Sequence, residues 1–230
     1  MVIAAFGDIH GNSPALEAAL AEIDDAGIRT IVCTGDLVAG YPFPNEVVDC
    51  LNQRNITTVQ GLYDRLTASL VRSGGQTLKR ASEDAASAMR WTYDQLSSAN
   101  VEYLRALPRV QRITVDGLDV YVSHGAPNAV NDSIGEKTSD QRFERYRESA
   151  RADIVIGGNT HSTFDRLVED TLFVNPGSLG CDERGAAYAI VSTEHQPWTV
   201  EYRFVEYNRE VVDDAVRSAG LPSPALSTAK

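Results

Sequence analysis

The sequence predicts an α/β layer fold in a single domain, with strands that run parallel at first and antiparallel later. Three observations predict it. Strand-length apolar segments alternate with helical patterns over the first third, hairpin turn signals crowd the last third, and no linker, repeat or low-complexity block separates the two.

VIAAF at 2–6 is a short buried strand; it lacks a basic start and runs straight into GDIHGN, so it does not read as a signal peptide. Ser13 is expected to cap a helix that has Pro14 at its first position and Gly27 past its end. Proline fits the first turn because its missing N–H would have no partner there, and glycine takes the left-handed conformation that ends a helix. TIVCTG is the next strand, NEVVDCLNQR a helix and ITTVQG a third strand. From Tyr63 to Ala106 the pattern is helical, with Met89, Trp91 and Leu96 spaced for one face. Asp116-Gly117 joins the alternating strands of QRITVDGLDVYVSHG as a hairpin. A helix over Ser139 to Ala150 precedes the strand ADIVIGG. FDRLVEDTLFVN, AAYAIVS and WTVEYRF read as hairpin strands, and NREVVDDAVRSAG as a last helix. The domain is expected to span 1–219, with a disordered tail over 220–230.

Charge and composition exclude several classes of function. A net charge of −11 opposes broad binding to nucleic acid, which needs a basic face. No apolar run has the length of a membrane-spanning helix. Cys33, Cys50 and Cys181 are scattered and odd in number, which suits a reducing compartment, so a cytoplasmic location is expected and the three read as small buried apolar residues. An acidic chain that handles phosphate must bring its own positive charge to the site, and a bound metal is a ready source.

The acids and histidines fall at particular places. Asp8 and His10 follow the first strand, Asp36 follows Gly35 at the end of the second, His124 ends the hairpin, and His161 follows ADIVIGG. Ligands of open α/β sheets bind beyond the carboxyl ends of the strands. One such residue would read as a helix cap or a core group; five at successive strand ends point to a divalent-metal site that engages phosphate. His195 lies outside any such position.

GDIHGN at 7–12, GD at 35–36, GLYD at 61–64, SHG at 123–125, GNTH at 158–161 and NPGSLG at 175–180 resemble, in order, the motifs of the calcineurin-like metallophosphoesterases. The compact length and NPGSLG are similar to the small bacterial and archaeal phosphodiesterase-like branch. The resemblance implies two stacked sheets flanked by helices, a four-layer α/β/β/α sandwich, and two divalent ions. Asp8, His10, Asp36 and His161 resemble the ligands of the first ion; Asp36 would bridge to a second, for which His124 and Asn159 remain. Such a mixed donor set suits Mn, Fe, Zn or Ni better than Ca.

The sequence departs from the family pattern at three positions. Leu62 stands where the pattern has an asparagine ligand and Asn159 where it has a histidine, so one ion is expected to be held firmly and a second weakly. Tyr63 replaces a histidine near the leaving group, and Asp64 follows it as an orienting carboxylate; these two are the candidate catalytic residues. Arg65 and Arg184 are candidates to hold a substrate phosphate. The implied function is hydrolysis of a phosphodiester or nucleotide-type phosphoester through a metal-activated hydroxide. The substrate would be a phosphorylated small molecule or nucleotide; no membrane partner is expected, and a homo-oligomer is left open. The alternative is a binding scaffold on the same fold, as in the retromer's phosphoesterase-like subunit, to which the changes at 62 and 159 would correspond.

Overall fold

Successive residues of a strand point to opposite faces, and in the first strand both faces are buried: Ile3 and Ala5 on one side, Ala4 and Phe6 on the other. A strand buried on both faces must lie inside a layered structure. The computed structural model describes residues 2–70, 72, 74–79, 81–128, 132–195 and 197–222 and has that form. The chain runs β1 (Val2–Phe6), α1 (Ser13–Asp25), β2 (Thr30–Cys33), α2 (Pro44–Gln53), β3 (Thr57–Thr58), α3 (Leu62–Ala68), α4 (Glu83–Gln95) and α5 (Ser98–Ala106). It continues through β4 (Val110–Val115), β5 (Leu118–Ser123), α6 (Asp140–Ala150), β6 (Ile154–Gly157), β7 (Thr163–Val168), β8 (Thr171–Pro176), β9 (Ala186–Ser192), β10 (Thr199–Val205) and α7 (Arg209–Ser218).

Two five-stranded sheets form, in the orders β10-β9-β1-β2-β3 and β4-β5-β6-β8-β7. In the first, β1 is parallel to β2, which is parallel to β3, while β9 returns antiparallel on the other side with Ala5 opposite Ala189. In the second, β5, β6 and β8 run parallel between antiparallel edge strands. The sheets pack face to face through Ile3, Ala5, Val32, Val122, Ile156 and Val174. The alternate residues Tyr121, Val155 and Phe173 face α6, whereas Ala4, Phe6 and Cys33 face α1, α2 and α5. The result is the expected four-layer α/β/β/α sandwich. Among the described residues no helix is long and apolar enough to cross a membrane.

Several boundaries differ from the sequence expectation, each for a local reason. Asn12, not Ser13, caps α1: its side chain accepts from the Ala15 N–H, and Ser13 is the first helical residue. The third strand is reduced to Thr57–Thr58, because the Gln60 N–H turns away to the Pro108 carbonyl. The helical stretch from Tyr63 to Ala106 divides into α3, α4 and α5, with Gly74 and Gly75 both left-handed and new starts capped by Ser82 and Ser97. Asp116-Gly117 makes the expected tight turn, both residues having positive φ (51° and 82°), the backbone a two-residue hairpin requires. Within the expected tail, Leu221 is buried against the cluster containing Val212 and Val216, and residues 223–230 lie outside the described residues.

Candidate metal centre

The site is built where the loops after β1, β2, β3, β5 and β6 meet. The Asp8 N–H donates to the Gly35 carbonyl (2.8 Å) and the His10 N–H to the Asp36 carbonyl (2.9 Å), so the first two loops lie side by side. The loop after β3 closes on them at Gly61, where a Cβ would stand 2.1 Å from the Asp36 nitrogen; only glycine leaves that room. Asp8, His10, Asp36, Asn159 and His161 all have left-handed backbones, with φ between 49° and 76°. Such residues cost on the order of 1–3 kcal/mol each outside glycine and persist where the surroundings over-determine them, commonly at functional sites.

The side chains converge on one volume. His10 Nε2 and His161 Nε2 are 3.1 Å apart. Asp8 Oδ1 is 3.4 Å from the latter and 4.0 Å from the former. The ligand atoms of Asp8, His10 and Asp36 lie within 4.8 Å of one another, and His124 Nε2 is 3.2 Å from Asp36 Oδ2. His10 Nδ1 meets the Ala39 carbonyl (3.1 Å) and His124 Nδ1 the Thr34 carbonyl (2.9 Å). A carbonyl only accepts, so Nδ1 carries the proton and, in the neutral ring, the Nε2 lone pair faces the cluster. Asp8 Oδ1 and His124 Nε2 are buried with no hydrogen-bond partner among the described residues. Buried polar atoms are rarely left unpaired, and two of them in a cluster of carboxylates and imidazoles fit a cation.

The electrostatics agree with that fit. Burial by itself would raise the Asp8 pKa, but the adjacent His161 imidazole and the charges of His124, His161 and His10 hold it at about 2. Burial disfavours a charged His124, yet the charge and contact of Asp36 outweigh it and lift the imidazole to about 10. His161 is raised against the effect of burial by the adjacent Asp8 carboxylate and its charge, and His10 is lowered by burial and by His161. Protons thus stand in for positive charge at the cluster, and a metal ion would displace them. Burial also pushes the Cys181 thiol up to about 12.

Asp8, His10, Asp36, His124 and His161 come together, and the Asn159 N–H donates to Asp8 Oδ2 (3.0 Å). Leu62 opens α3 beside them. Tyr63 donates its N–H to Asp36 Oδ1 (2.7 Å), and its ring meets His10 edge-on at 5.4 Å between centroids. Asp64 is fully buried and accepts from the Leu37 (2.8 Å) and Gly61 (2.9 Å) N–H groups, with burial and the charge of Asp36 raising its pKa to about 7. It braces the Asp36 loop and caps α3. Arg65 lines a small cleft with Gln60, Gly61, Leu62, Arg109 and His124. Arg184 forks onto Asp182 (2.9 and 2.7 Å) and lies 3.8 Å above the Phe204 ring. A partner two residues away in a turn captures its guanidinium.

Four further residues lie near the cluster. In NPGSLG, a turn that also supports the site, the Asn175 side chain donates to the Ile134 (3.0 Å) and Gly158 (3.2 Å) carbonyls and to Thr160 Oγ1 (2.8 Å), fixing the loop that carries His161. Ser178 Oγ donates to the Asp8 carbonyl (2.8 Å). Arg109 gave no signal, and Cys181, read as apolar, has its sulfur within 4.8 Å of the ligand nitrogens of His10 and His161.

The sequence profile of the calcineurin-like phosphoesterase superfamily domain matches residues 1–196. An uncharacterized protein of Methanocaldococcus jannaschii is 29% identical over 241 residues, covering 96% of this chain and 94% of that one. Among solved structures, a hypothetical protein of Pyrococcus horikoshii has a TM-score of 0.84 at 23% identity, covering 96% and 94% of the two chains. A metallophosphoesterase of Sphaerobacter thermophilus has a TM-score of 0.75 at 26% identity, covering 99% and 98%.

Proposed function

The chain belongs to the calcineurin-like phosphoesterase superfamily, and on that premise we propose that it hydrolyses a phosphodiester or nucleotide-type phosphoester in a metal-dependent reaction. The reading is carried by the unpaired, buried Asp8 Oδ1 and His124 Nε2 inside a cluster of carboxylates and imidazoles. Asp8, His10, Asp36 and His161 would hold a divalent ion, with His124 and Asn159 left for a weaker second one. When bound, such an ion supplies Lewis-acid charge for a phosphoryl oxygen and acidifies a water.

The chain's own residues supply the rest. Arg65 and Arg109 line the cleft beside His124, where their guanidinium groups can neutralise the non-bridging oxygens of a phosphate. Tyr63 borders His10, but burial and the Asp36 charge raise its pKa above the ordinary value, so it keeps its proton and serves to position rather than to protonate a leaving group. That favours an activated diester or an anhydride, whose less basic leaving group needs less protonation than the alkoxide of a simple monoester. Asp64 and Asn175 hold the ligand loops in place.

The test combines metal analysis by mass spectrometry, on protein purified without chelator, with hydrolysis of bis(p-nitrophenyl) phosphate and p-nitrophenyl phosphate in added Mn. Bound metal and faster turnover of the diester are expected. Metal-loaded protein that hydrolyses neither ester nor a dinucleotide, but retains a stable protein partner, would favour the scaffold.

A further inference from the structure

Cys181 sits on the turn that follows β8, and that turn is fastened to the loop carrying Asp8 and His10. The Leu179 N–H donates to the Gly7 carbonyl (2.9 Å), the Gly180 N–H and Ser178 Oγ to the Asp8 carbonyl (3.1 and 2.8 Å), and the Cys181 N–H to Ser178 Oγ (3.0 Å). The Asn12 side chain closes the clamp by donating to the Gly180 carbonyl (2.9 Å). The thiol is therefore set at a fixed place relative to the ligand loops. Its sulfur falls within 4.8 Å of the ligand nitrogens of His10 and His161. Asp8 Oδ1, buried and without a hydrogen-bond partner among the described residues, meets the same two nitrogens, at 3.4 Å from His161 Nε2 and 4.0 Å from His10 Nε2. The sulfur and the oxygen thus each adjoin one pair of imidazole nitrogens.

Their spacing is informative. Ligand atoms on a tetrahedron with bonds of about 2.0–2.3 Å lie roughly 3.3–3.7 Å apart. The separations of 3.1, 3.4 and 4.0 Å among the two nitrogens and the oxygen are of that scale, and the sulfur lies within 4.8 Å of both nitrogens.

We propose that Cys181 is a further ligand of the ion held by Asp8, His10, Asp36 and His161, and that this makes the centre select a thiophilic cation such as zinc, cobalt or ferrous iron over manganese or magnesium. The inference rests on the reading of the cluster as a metal centre. Thiolate is soft and imidazole intermediate, so a sulfur in the set shifts preference away from cations that favour oxygen alone. Coordination replaces the thiol proton, which passes to solvent; no oxidant or reductant takes part.

The experiment is a cobalt(II) titration of the metal-free full chain. One equivalent should develop a near-ultraviolet thiolate-to-cobalt charge-transfer band. Cys181→Ser should still bind cobalt but lack that band, and should lose about 10-fold or more of its zinc affinity with little change for manganese. In the unaltered protein, zinc should slow iodoacetamide alkylation of Cys181, followed by peptide mass spectrometry with Cys50 as internal control; this arm decides the matter if the variant does not fold. Cobalt bound without the band, or a Cys181 that zinc leaves unprotected, overturns the assignment of Cys181 alone. Failure of every cation to bind overturns the metal centre and the assignment with it.

Discussion

Around Asp8, His10 and His161 the protein gathers oxygen, nitrogen and sulfur atoms on loops fastened to one another by backbone hydrogen bonds. Around His124 it offers a single imidazole, the apolar side chain of Leu62, and a cleft lined by Arg65 and Arg109. The first half has the donors to hold a cation; the second carries positive charge covalently. A phosphate group bridging the halves could meet an ion on one side and guanidinium groups on the other. Losing a ligand at position 62 therefore does not leave the second half without means of balancing charge.

Asp36 joins the halves, and its loss gives the largest expected effect. Asp36→Ala should remove nearly all bound metal and bring turnover to background, measured by metal analysis and diester hydrolysis; a variant as fast as the unaltered protein defeats the ligand assignment. Asn175→Ala damages only the first half, by unpairing the Gly158 and Ile134 carbonyls. It should lower metal affinity about 10–100-fold, read by titration with a chromophoric chelator as competitor. Arg65→Ala damages only the second half: KM should rise about tenfold as a charged hydrogen bond to phosphate is lost, with metal content unchanged. Unaltered KM would remove Arg65 from the substrate site.

The combined change Leu62→Asn with Asn159→His sharpens the contrast from the other direction. Metal stoichiometry should move from one towards two per chain once circular dichroism shows the variant folded. Two equally tight ions in the unaltered protein, without substrate, would erase the difference between the halves. Arg184→Ala should do least. Its exposed fork onto Asp182 is worth up to about 1 kcal/mol, so a small fall in melting temperature and no change in KM are expected.

The layers were legible because both periodicities are clean: Val120 and Val122 against Tyr121, or Ile154 and Ile156 against Val155, divide strictly between the inter-sheet core and the α6 side. The placement of acids and histidines at strand ends was legible for a related reason, since each residue's position along a strand fixes which end of the sheet it occupies. What depends on neighbours far along the chain was not legible. Asn12 and Ser13 are both capping residue types, and only the path of the loop chooses between them. β3 is short because the Gln60 N–H pairs with the distant Pro108 carbonyl, a partner no local pattern encodes. Cys181 reads as a small apolar residue until the clamp between Gly180 and Asn12 brings it to His10.

The partners of Asp8 have a consequence for synthesis on the ribosome. Its side chain meets the Asn159 N–H, 151 residues away, and its carbonyl meets Ser178, 170 residues away. β1 gains its antiparallel neighbour only with β9, where Val2 lies opposite Ser192. A nascent chain that has exposed Asp8, His10 and Asp36 thus holds an open strand edge and an incomplete set of donors for most of translation. The cluster of carboxylates and imidazoles is therefore complete only when nearly the whole domain has emerged.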